Sequence, residues 1–340
     1  MTYRAKWLLI AIISILALGG VAAGGVVAWQ QYQARQSAPS DVETAVPADW
    51  AEGDRVVFRN TASGQGYGHV ASVPLSDPAG ARAVTEHVCD RVDATPAEFM
   101  CLKTERGIAP SYHATLYAND GQAIEEWPLP GIPSRTRISS DGTRIATTAF
   151  VTGHSYATIG FSTETVIRGD DGEDFGNLEE WTLIIDGAPA APVDRNFWGV
   201  TFLDDTTFYA TAGLTSSGIH YLVRGDTATR TLTAVAEGVE CPSLSPDGTR
   251  IAFKATTAGT GASVHWTPAI MDLASGEVML LGEERSVDDQ IAWLDDDTIL
   301  YGMPRDGVAG DTDVWALAAD GEGEPEVFIE HAWSPSVVRG

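Results

Sequence analysis

Short runs of alternating hydrophobic and polar residues fill most of the chain after residue 53, and turn-forming residues separate them. Alternation with a period of two is typical of β-strands that bury one face. The clearest pairs flank an Asp-Gly turn: ISSDGTRIATTAF begins at Ile138 and LSPDGTRIAFKAT begins at Leu244. Both segments predict a tight hairpin, because Asp-Gly favours the turns that join antiparallel strands.

These hairpins belong to an internal repeat. Weaker copies begin at Phe202 and Trp293, where acidic turns replace Asp-Gly. The second strand of each unit starts near Arg55, Phe99, Arg144, Thr207, Arg250 and Thr298. Most intervals are close to the roughly 45 residues that are typical of a four-stranded propeller blade. The interval within the third unit is longer, which predicts an insertion there with an elaborated loop or extended strands on one face of the disc.

Six second strands predict an all-β fold, a six-bladed β-propeller of four-stranded blades over residues 53–340. The strand at Arg55 has no first strand before it, and the final segment from His331, HAWSPSVV, has no second strand after it. We therefore expect the N- and C-terminal strands to pair and to close one blade, which removes exposed sheet edges.

An uncharged segment from Trp7 to Trp29 precedes the repeats. As a helix it would span about 34 Å, roughly one bilayer core. Together with the cations before it, this segment predicts a cytoplasmic tail at 1–6, a transmembrane signal-anchor helix at 7–29 and an extracytoplasmic C-terminal domain. The protein would then be a single-pass protein of the cell membrane.

The alternative is a signal peptide that is cleaved near residues 21–23, which would give a secreted protein. Residues 30–52 are polar and contain Pro39 and Pro47. They predict a linker that lifts the following domain off the membrane.

The charge balance excludes one class of partner. The chain has 47 Asp and Glu against 21 Lys and Arg, a formal net charge of −26. A surface this acidic repels phosphate backbones, so we expect no nucleic-acid partner. The first 36 residues contain Arg4, Lys6, Arg35 and no acid, so the acidity belongs to the predicted extracytoplasmic domain.

The motif from Leu244 to Phe253, with DLASGE about twenty residues later, resembles the repeat of TolB-like propellers. The resemblance covers residues 54–340. The whole chain, with GHSYATIGFST and RSVDDQIAWLDDDTILYG, is similar to uncharacterised membrane-anchored actinobacterial TolB-like proteins. TolB works in a periplasmic envelope complex and binds partners without catalysis, so the resemblance implies this fold and compartment. We expect a departure from TolB, because an anchor and a linker are predicted here in place of its separate N-terminal α/β domain.

A binding mouth is predicted where the innermost strands begin, because these strands line the channel of a propeller. Trp198 and the segment 286–290 precede or begin predicted first strands, and the long third unit carries two further polar side chains. The predicted binding residues are His154, Tyr156, Trp198, Asp288, Asp289 and Gln290. The alternative is that they are turn and core groups.

Other candidate chemistry is weaker. Residues 153–157 fit a loose nucleophile-elbow pattern around Ser155, but no long helix follows, so no catalytic residue is assigned. Acidic runs at 170–174, 295–297 and 306–313 could bind Ca²⁺, although Asp at turns has a structural use. The seven His show no helical ligand pair. We expect no metal and no cofactor.

Cys89 lies in the predicted first strand of the second blade and Cys101 in its second strand, on either side of a predicted turn. If the turn is centred on Thr95, they face each other, and an oxidising compartment would favour a disulfide. Cys241 would then stay single and buried. The alternative is three reduced core thiols.

Together these features predict a non-catalytic extracytoplasmic binding or scaffold propeller of the cell envelope. Its partner would be an envelope protein or a small ligand at one propeller face. The alternative is a hydrolase or lactonase-like enzyme with its site at the channel mouth, which could depend on Ca²⁺. A sensor role would need an output domain, which six cytoplasmic residues do not provide.

Overall fold

The computed structural model describes residues 6–7, 12–13, 19–20, 24–27, 29–30, 33–40, 42–46, 50–107, 109–151, 162–170 and 172–340. Over these residues the chain forms six β-sheets, each containing one four-stranded meander. The sheets are the blades of a six-bladed propeller, as the repeat predicts.

The strands of each blade are given from the innermost outward. Blade 1 contains β27 (Ala332–Val338), β2 (Arg55–Asn60), β3 (His69–Pro74) and β4 (Arg82–Val88). Blade 2 contains β5 (Arg91–Ala94), β6 (Glu98–Glu105), β7 (Ser111–Ala118) and β8 (Ala123–Pro128). Blade 3 contains β9 (Ile132–Ile138), β10 (Arg144–Val151), β11 (Ser162–Gly169) and β12 (Asp174–Asn177).

The other three blades follow the same order. Blade 4 contains β15 (Arg195–Phe202), β16 (Thr207–Leu214), β17 (Ile219–Asp226) and β18 (Thr231–Glu237). Blade 5 contains β19 (Glu240–Leu244), β20 (Arg250–Ala258), β21 (His265–Asp272) and β22 (Val278–Leu280). Blade 6 contains β23 (Ala292–Trp293), β24 (Thr298–Pro304), β25 (Thr312–Ala318) and β26 (Glu326–Ile329).

The circle is closed by the two ends of the propeller sequence. Strand β27 pairs antiparallel with β2, from Arg55 opposite Val338 to Asn60 opposite Ala332. The predicted closure is therefore confirmed. We call the face where the innermost strands begin the top face, and the face where they end the bottom face.

Three further strands widen two blades. Strand β1 (Thr44–Ala45) pairs parallel with β4 of blade 1. Strands β13 (Thr182–Ile185) and β14 (Ala188–Ala190) form a hairpin, and β13 pairs parallel with β18 of blade 4. Short 3-10 helices span Leu178–Glu180 and Gly261–Ser263. Part of the predicted insertion thus extends the outer edge of blade 4, whereas we expected it on one face of the disc.

Residues within the predicted linker contact the propeller. The Trp50 side chain is buried, its indole nitrogen donates to the Asn119 carbonyl, and its ring packs edge-on against Phe99. Nearer the N-terminus, the Arg35 carbonyl accepts from the Gly64 amide at 2.7 Å. The described residues between 33 and 50 are therefore partly packed on blades 1 and 2, and the domain boundary at residue 53 stays a prediction.

More than half of the predicted span 7–29 lies outside the described residues. Among the residues that the structure describes, no helix combines the length and the apolarity needed to cross a membrane. The predicted transmembrane helix has no support from these residues.

The hydrophobic core consists of six buried clusters, and each lies between two neighbouring blades. Phe58 of blade 1, for example, packs with Leu300 of blade 6, and Met100 of blade 2 packs with Ile145 of blade 3. Each fully buried side chain of this size contributes about 1.5–3 kcal/mol. The hydrophobic face of every blade therefore joins it to the next.

The two strongest copies of the repeat motif make the same hydrogen bonds. In blade 5, Asp247 Oδ1 accepts from the Ser245 hydroxyl at 2.6 Å and from the Thr249 amide at 3.0 Å. The corresponding residues Ser139, Asp141 and Thr143 of blade 3 repeat these distances. The motif arginines Arg144 and Arg250 donate to turn carbonyls of the next blade. The Ser-x-Asp-Gly-Thr-Arg signature thus closes its own turn and ties adjacent blades together.

We expect Asp247→Ala to lower the free energy of unfolding by about 1 kcal/mol, because the lost hydrogen bonds lie in a solvent-exposed turn. Hydrogen bonds from Ser245 and Thr249 hold the pKa of Asp247 below its usual range. These hydrogen bonds contribute to the free energy of unfolding at neutral pH, and this contribution is lost as the pH falls through the lowered pKa of Asp247. Urea unfolding at pH 7 and pH 3 checks this. Asp306→Ala, a change at an exposed turn acid, serves as control, and equal destabilisation by both would contradict the expectation.

Candidate functional site

The top end of the channel is crossed by the segment that precedes β23. Because β23 has only two residues, this segment takes the place of the first part of an innermost strand. It carries three of the predicted binding residues, Asp288, Asp289 and Gln290. Their side chains contact blades 2, 3 and 5, so the structure brings these three together at the predicted end of the channel.

Asp289 is fully buried and is paired across the channel. Its carboxylate accepts from Arg91 Nη1 of blade 2 at 2.7 Å and from the Gly302 amide at 2.9 Å. A side chain at Gly302 would clash with Trp333 and with this carboxylate, so glycine is required by close approach. Burial and the nearby Arg135 lower the pKa of Arg91. Asp289 is therefore a structural counter-ion.

Asp288 lies beside Asp289 but faces solvent, and its side chain is 63% exposed. Its Oδ1 is 2.7 Å from Lys254 Nζ and 3.8 Å from Arg135 Nη2. Although partial burial opposes ionisation, Lys254 and Arg135 hold the pKa of Asp288 below its usual range. Lys254 is almost fully buried and lies over the Trp266 ring. Asp288 thus joins blades 3, 5 and 6 at the mouth.

Gln290 lies deeper in the channel. Its amide fits best with the oxygen towards Arg137, where it accepts from Nη2 at 2.7 Å. Arg137 Nη1 is 3.6 Å from the Asp93 carboxylate, which also accepts from the Ser336 hydroxyl. Burial raises the pKa of Asp93 despite these partners. The middle of the channel is therefore filled by polar side chains of blades 1, 2, 3 and 6.

Trp198 lies in the middle of β15 rather than at its start, and its side chain is buried. It packs edge-on against His220. His220 Nδ1 is 3.2 Å from Glu240 Oε1, which also accepts from the Trp266 indole. Although burial opposes ionisation, the hydrogen bonds from His220 and Trp266 hold the pKa of Glu240 below its usual range. Trp198 belongs to this interblade cluster, which meets the Asp288 segment through Trp266 and Lys254.

The predicted residues His154 and Tyr156, together with Ser155, lie outside the described residues. The strands on either side of them end at Val151 and begin at Ser162, which pair with each other at the top of blade 3. Their proposed role at the mouth stays a prediction.

A cavity of about 520 Å³ opens at the bottom face. All six innermost strands contribute to its wall, each with one of the residues Asp93, Arg137, Thr201, Ser243, Trp293 and Ser336. Phe202 and Leu244 add apolar surface. This cavity lies at the end of the channel opposite to the predicted mouth.

The acidic runs are used in turns and ion pairs. Asp295 accepts from the Asp297 amide, and Asp296 accepts from the Asp247 amide of the next turn. Asp311 contacts the His331 ring at 2.9 Å, and Asp313 pairs with Arg305 at 2.8 Å. The described residues contain no group of three His, Cys, Asp or Glu that could hold a metal ion.

Cys89 and Cys101 are joined by a disulfide, with their Cα atoms 5.4 Å apart. Cys101 lies in β6, whereas Cys89 lies in the connection from blade 1 to blade 2 rather than in a strand. The bond therefore fixes the junction of two blades. Cys241 is free and buried.

Sequence reasoning missed the cations of the channel. Arg91, Arg135, Arg137 and Lys254 come from blades 2, 3 and 5 and meet only through the closure of the circle. One signal was present: Lys254 is one of three lysines in a strongly acidic chain, and it lies within a predicted second strand.

No protein-family model matches this sequence, and no curated protein matches it. Comparison with solved structures finds TolB from Acinetobacter baumannii, with 14% identity, a TM-score of 0.57, and coverage of 86% of this chain and 68% of that chain. A proposed TolB from Agrobacterium tumefaciens has 11% identity and a TM-score of 0.50, with coverage of 83% and 91%. The chain therefore has a TolB-like six-bladed propeller fold.

A puromycin-hydrolysing peptidase from Mycobacterium tuberculosis has 13% identity and a TM-score of 0.49, with coverage of 87% of this chain and 48% of that chain. A similarity of this size carries no argument about activity. At these identities the solved structures show the fold alone, and function has to be argued from the sites.

Proposed function

We propose that this protein is a non-catalytic binding or scaffold propeller of the cell envelope, held at the cytoplasmic membrane by residues 7–29 with the propeller outside. The observation that carries the proposal is the bottom-face cavity, where the innermost strands of all six blades converge around about 520 Å³. Both polar and apolar side chains line this cavity, and concave sites on a rigid scaffold are where binding usually resides.

The packing of the N-terminal segment supports one orientation of the disc. The Arg35 guanidinium lies 5.3 Å from the Tyr67 ring centre, and Tyr67 donates to the Gly310 carbonyl. Tyr67 and Gly310 belong to top-face loops of blades 1 and 6. Only residues 30–34 separate Arg35 from the predicted span, a reach of about 20 Å. In this proposal the top face lies towards the membrane, and the bottom-face cavity opens towards envelope partners.

Site-specific photo-crosslinking in intact native cells tests the proposal. A photoreactive residue at Ser140, which is exposed and lines the cavity, should capture a defined envelope partner. The matched control is the same residue at Glu326, which is exposed on the outermost strand of blade 6. We expect the partner to be captured from Ser140 and to be at least about tenfold less abundant from Glu326, because crosslinking requires close contact.

Equal capture from both positions would contradict a site at the cavity. The enzyme alternative makes a different prediction, because the purified propeller should then hydrolyse esters or lactones, with activity that falls when Ca²⁺ is chelated. Hydrolysis without specific capture would replace the binding proposal with the enzyme.

A further inference from the structure

Three cations meet at the top mouth: Arg91, Arg135 and Lys254. Two carboxylates pair closely with two of these cations, whereas the third cation has no carboxylate at the same short distance. Asp289 is 2.7 Å from Arg91, and Asp288 is 2.7 Å from Lys254. Arg135 has its nearest carboxylate oxygen at 3.8 Å, beyond hydrogen-bonding distance, and this oxygen is the same Oδ1 of Asp288 that pairs with Lys254.

The Arg135 guanidinium is nine-tenths buried and has few partners. Its Nη1 donates to the Ser134 carbonyl, it lies beside the Cys241 thiol, and its Nε is buried without a hydrogen-bond partner. A buried guanidinium is strongly stabilised by bidentate pairing with an oxyanion. Arg135 therefore has no carboxylate within hydrogen-bonding distance, and only the more distant Asp288 and Asp289 carboxylates stabilise its charge.

Other acids near the mouth are already engaged. Glu240 Oε1 accepts from Trp266 and from Thr256, and Asp289 is held by Arg91 and the Gly302 amide. Asp288 differs, because its side chain is largely exposed and lies on the segment that replaces part of an innermost strand. The Asp288 side chain can therefore move away from Lys254 without exposing a buried carboxylate to solvent.

We propose that the top mouth is a binding site for a carboxylate-bearing ligand, whose carboxylate pairs with Arg135 and Lys254 in place of Asp288. The Asp288 side chain then acts as an internal competitor, since it presents the same chemical group to the same cations. This site lies at the opposite end of the channel from the bottom-face cavity, so it goes beyond the proposed function and can fail or hold independently of it.

Binding of small anions to the purified protein tests this proposal. Thermal unfolding and calorimetry would be run with sodium succinate, sodium phosphate and sodium chloride at equal ionic strength, because a ligand that binds only the folded state raises its stability. We expect succinate to bind Asp288→Asn at least about tenfold more tightly than the unchanged protein, since the competing charge is gone. Asp296→Asn, which removes a half-buried turn acid near the bottom face, should bind like the unchanged protein.

Arg135→Gln is expected to weaken succinate binding at least about tenfold, both alone and combined with Asp288→Asn. If Asp288→Asn does not fold, the loss of succinate-dependent stabilisation in Arg135→Gln alone decides the question. Succinate binding that is unchanged in Arg135→Gln would overturn the proposal, as would no binding to folded Asp288→Asn. Tighter binding of phosphate than of succinate would overturn the assignment to carboxylates.

Discussion

A chain that ends at His331, and therefore lacks β27, is expected to lose the cooperative unfolding of the propeller. Strand β27 is the innermost strand of blade 1 and pairs along the whole length of β2. Its Ser336 hydroxyl also contacts the buried Asp93 carboxylate and the Ala94 amide of blade 2. The expected loss exceeds about 5 kcal/mol, the lower end of the stability of a typical domain. Calorimetry and near-ultraviolet circular dichroism would show the absence of a native transition.

The matched control removes only Arg339 and Gly340, which follow β27 and are exposed. This shorter deletion should keep the transition within a few degrees of the unchanged protein, because the β2–β27 ladder remains. A synthetic peptide of residues 332–340 should restore part of the transition to the longer deletion, since it supplies the missing strand. A sharp transition at the original temperature in the absence of β27 would show that closure does not hold the circle together.

Asp289→Ala is expected to destabilise the propeller by about 3–5 kcal/mol, because it leaves the Arg91 guanidinium in the channel without its counter-ion. The Asp289 side chain has no exposed surface, and the Arg91 side chain is 14% exposed. The Gly302 amide would lose its acceptor as well. Chemical denaturation at pH 7 measures the change directly.

Two further variants separate the charge from the packing. Asp289→Asn keeps the shape and should cost less than alanine, because its amide oxygen can still accept from Gly302. In a double-mutant cycle with Arg91→Met, we expect a coupling of at least about 1 kcal/mol, as is typical of residues in direct contact. Additive effects would show that the pair is not coupled. Either way, Asp289→Ala is unsuitable as a probe of partner binding, because it alters the fold of the mouth.

The blade pattern could be predicted because its signals are local. The motif residues Asp141 and Asp247 make hydrogen bonds within five residues of themselves, so the turn is encoded where it forms. The regular interval between second strands then fixes the number of blades, and the missing partners at the two ends predict how the circle closes. The hairpin β13–β14 had no counterpart in the repeat, so its place on blade 4 could not be predicted.

The candidate site could be predicted only in part. Register placed Asp288, Asp289 and Gln290 at the top end of the channel, and the structure has them there. Their roles could not be predicted, because two adjacent residues differ in burial: the Asp289 side chain is buried and the Asp288 side chain is exposed. Trp198 was expected at a strand start and lies within β15, where its ring is part of the core between blades.

The sequence by itself determined the hairpins, the number of blades and the pairing of the terminal strands, because turns and strand alternation depend on neighbouring residues. It also determined the acidic character, from which we expect no nucleic-acid partner. Only the tertiary structure decided which cations meet Asp288 and Asp289, because Arg91, Arg135 and Lys254 belong to three different blades. The bottom-face cavity likewise exists only once six strand ends converge, since each blade contributes a small part of a wall that no single repeat encodes.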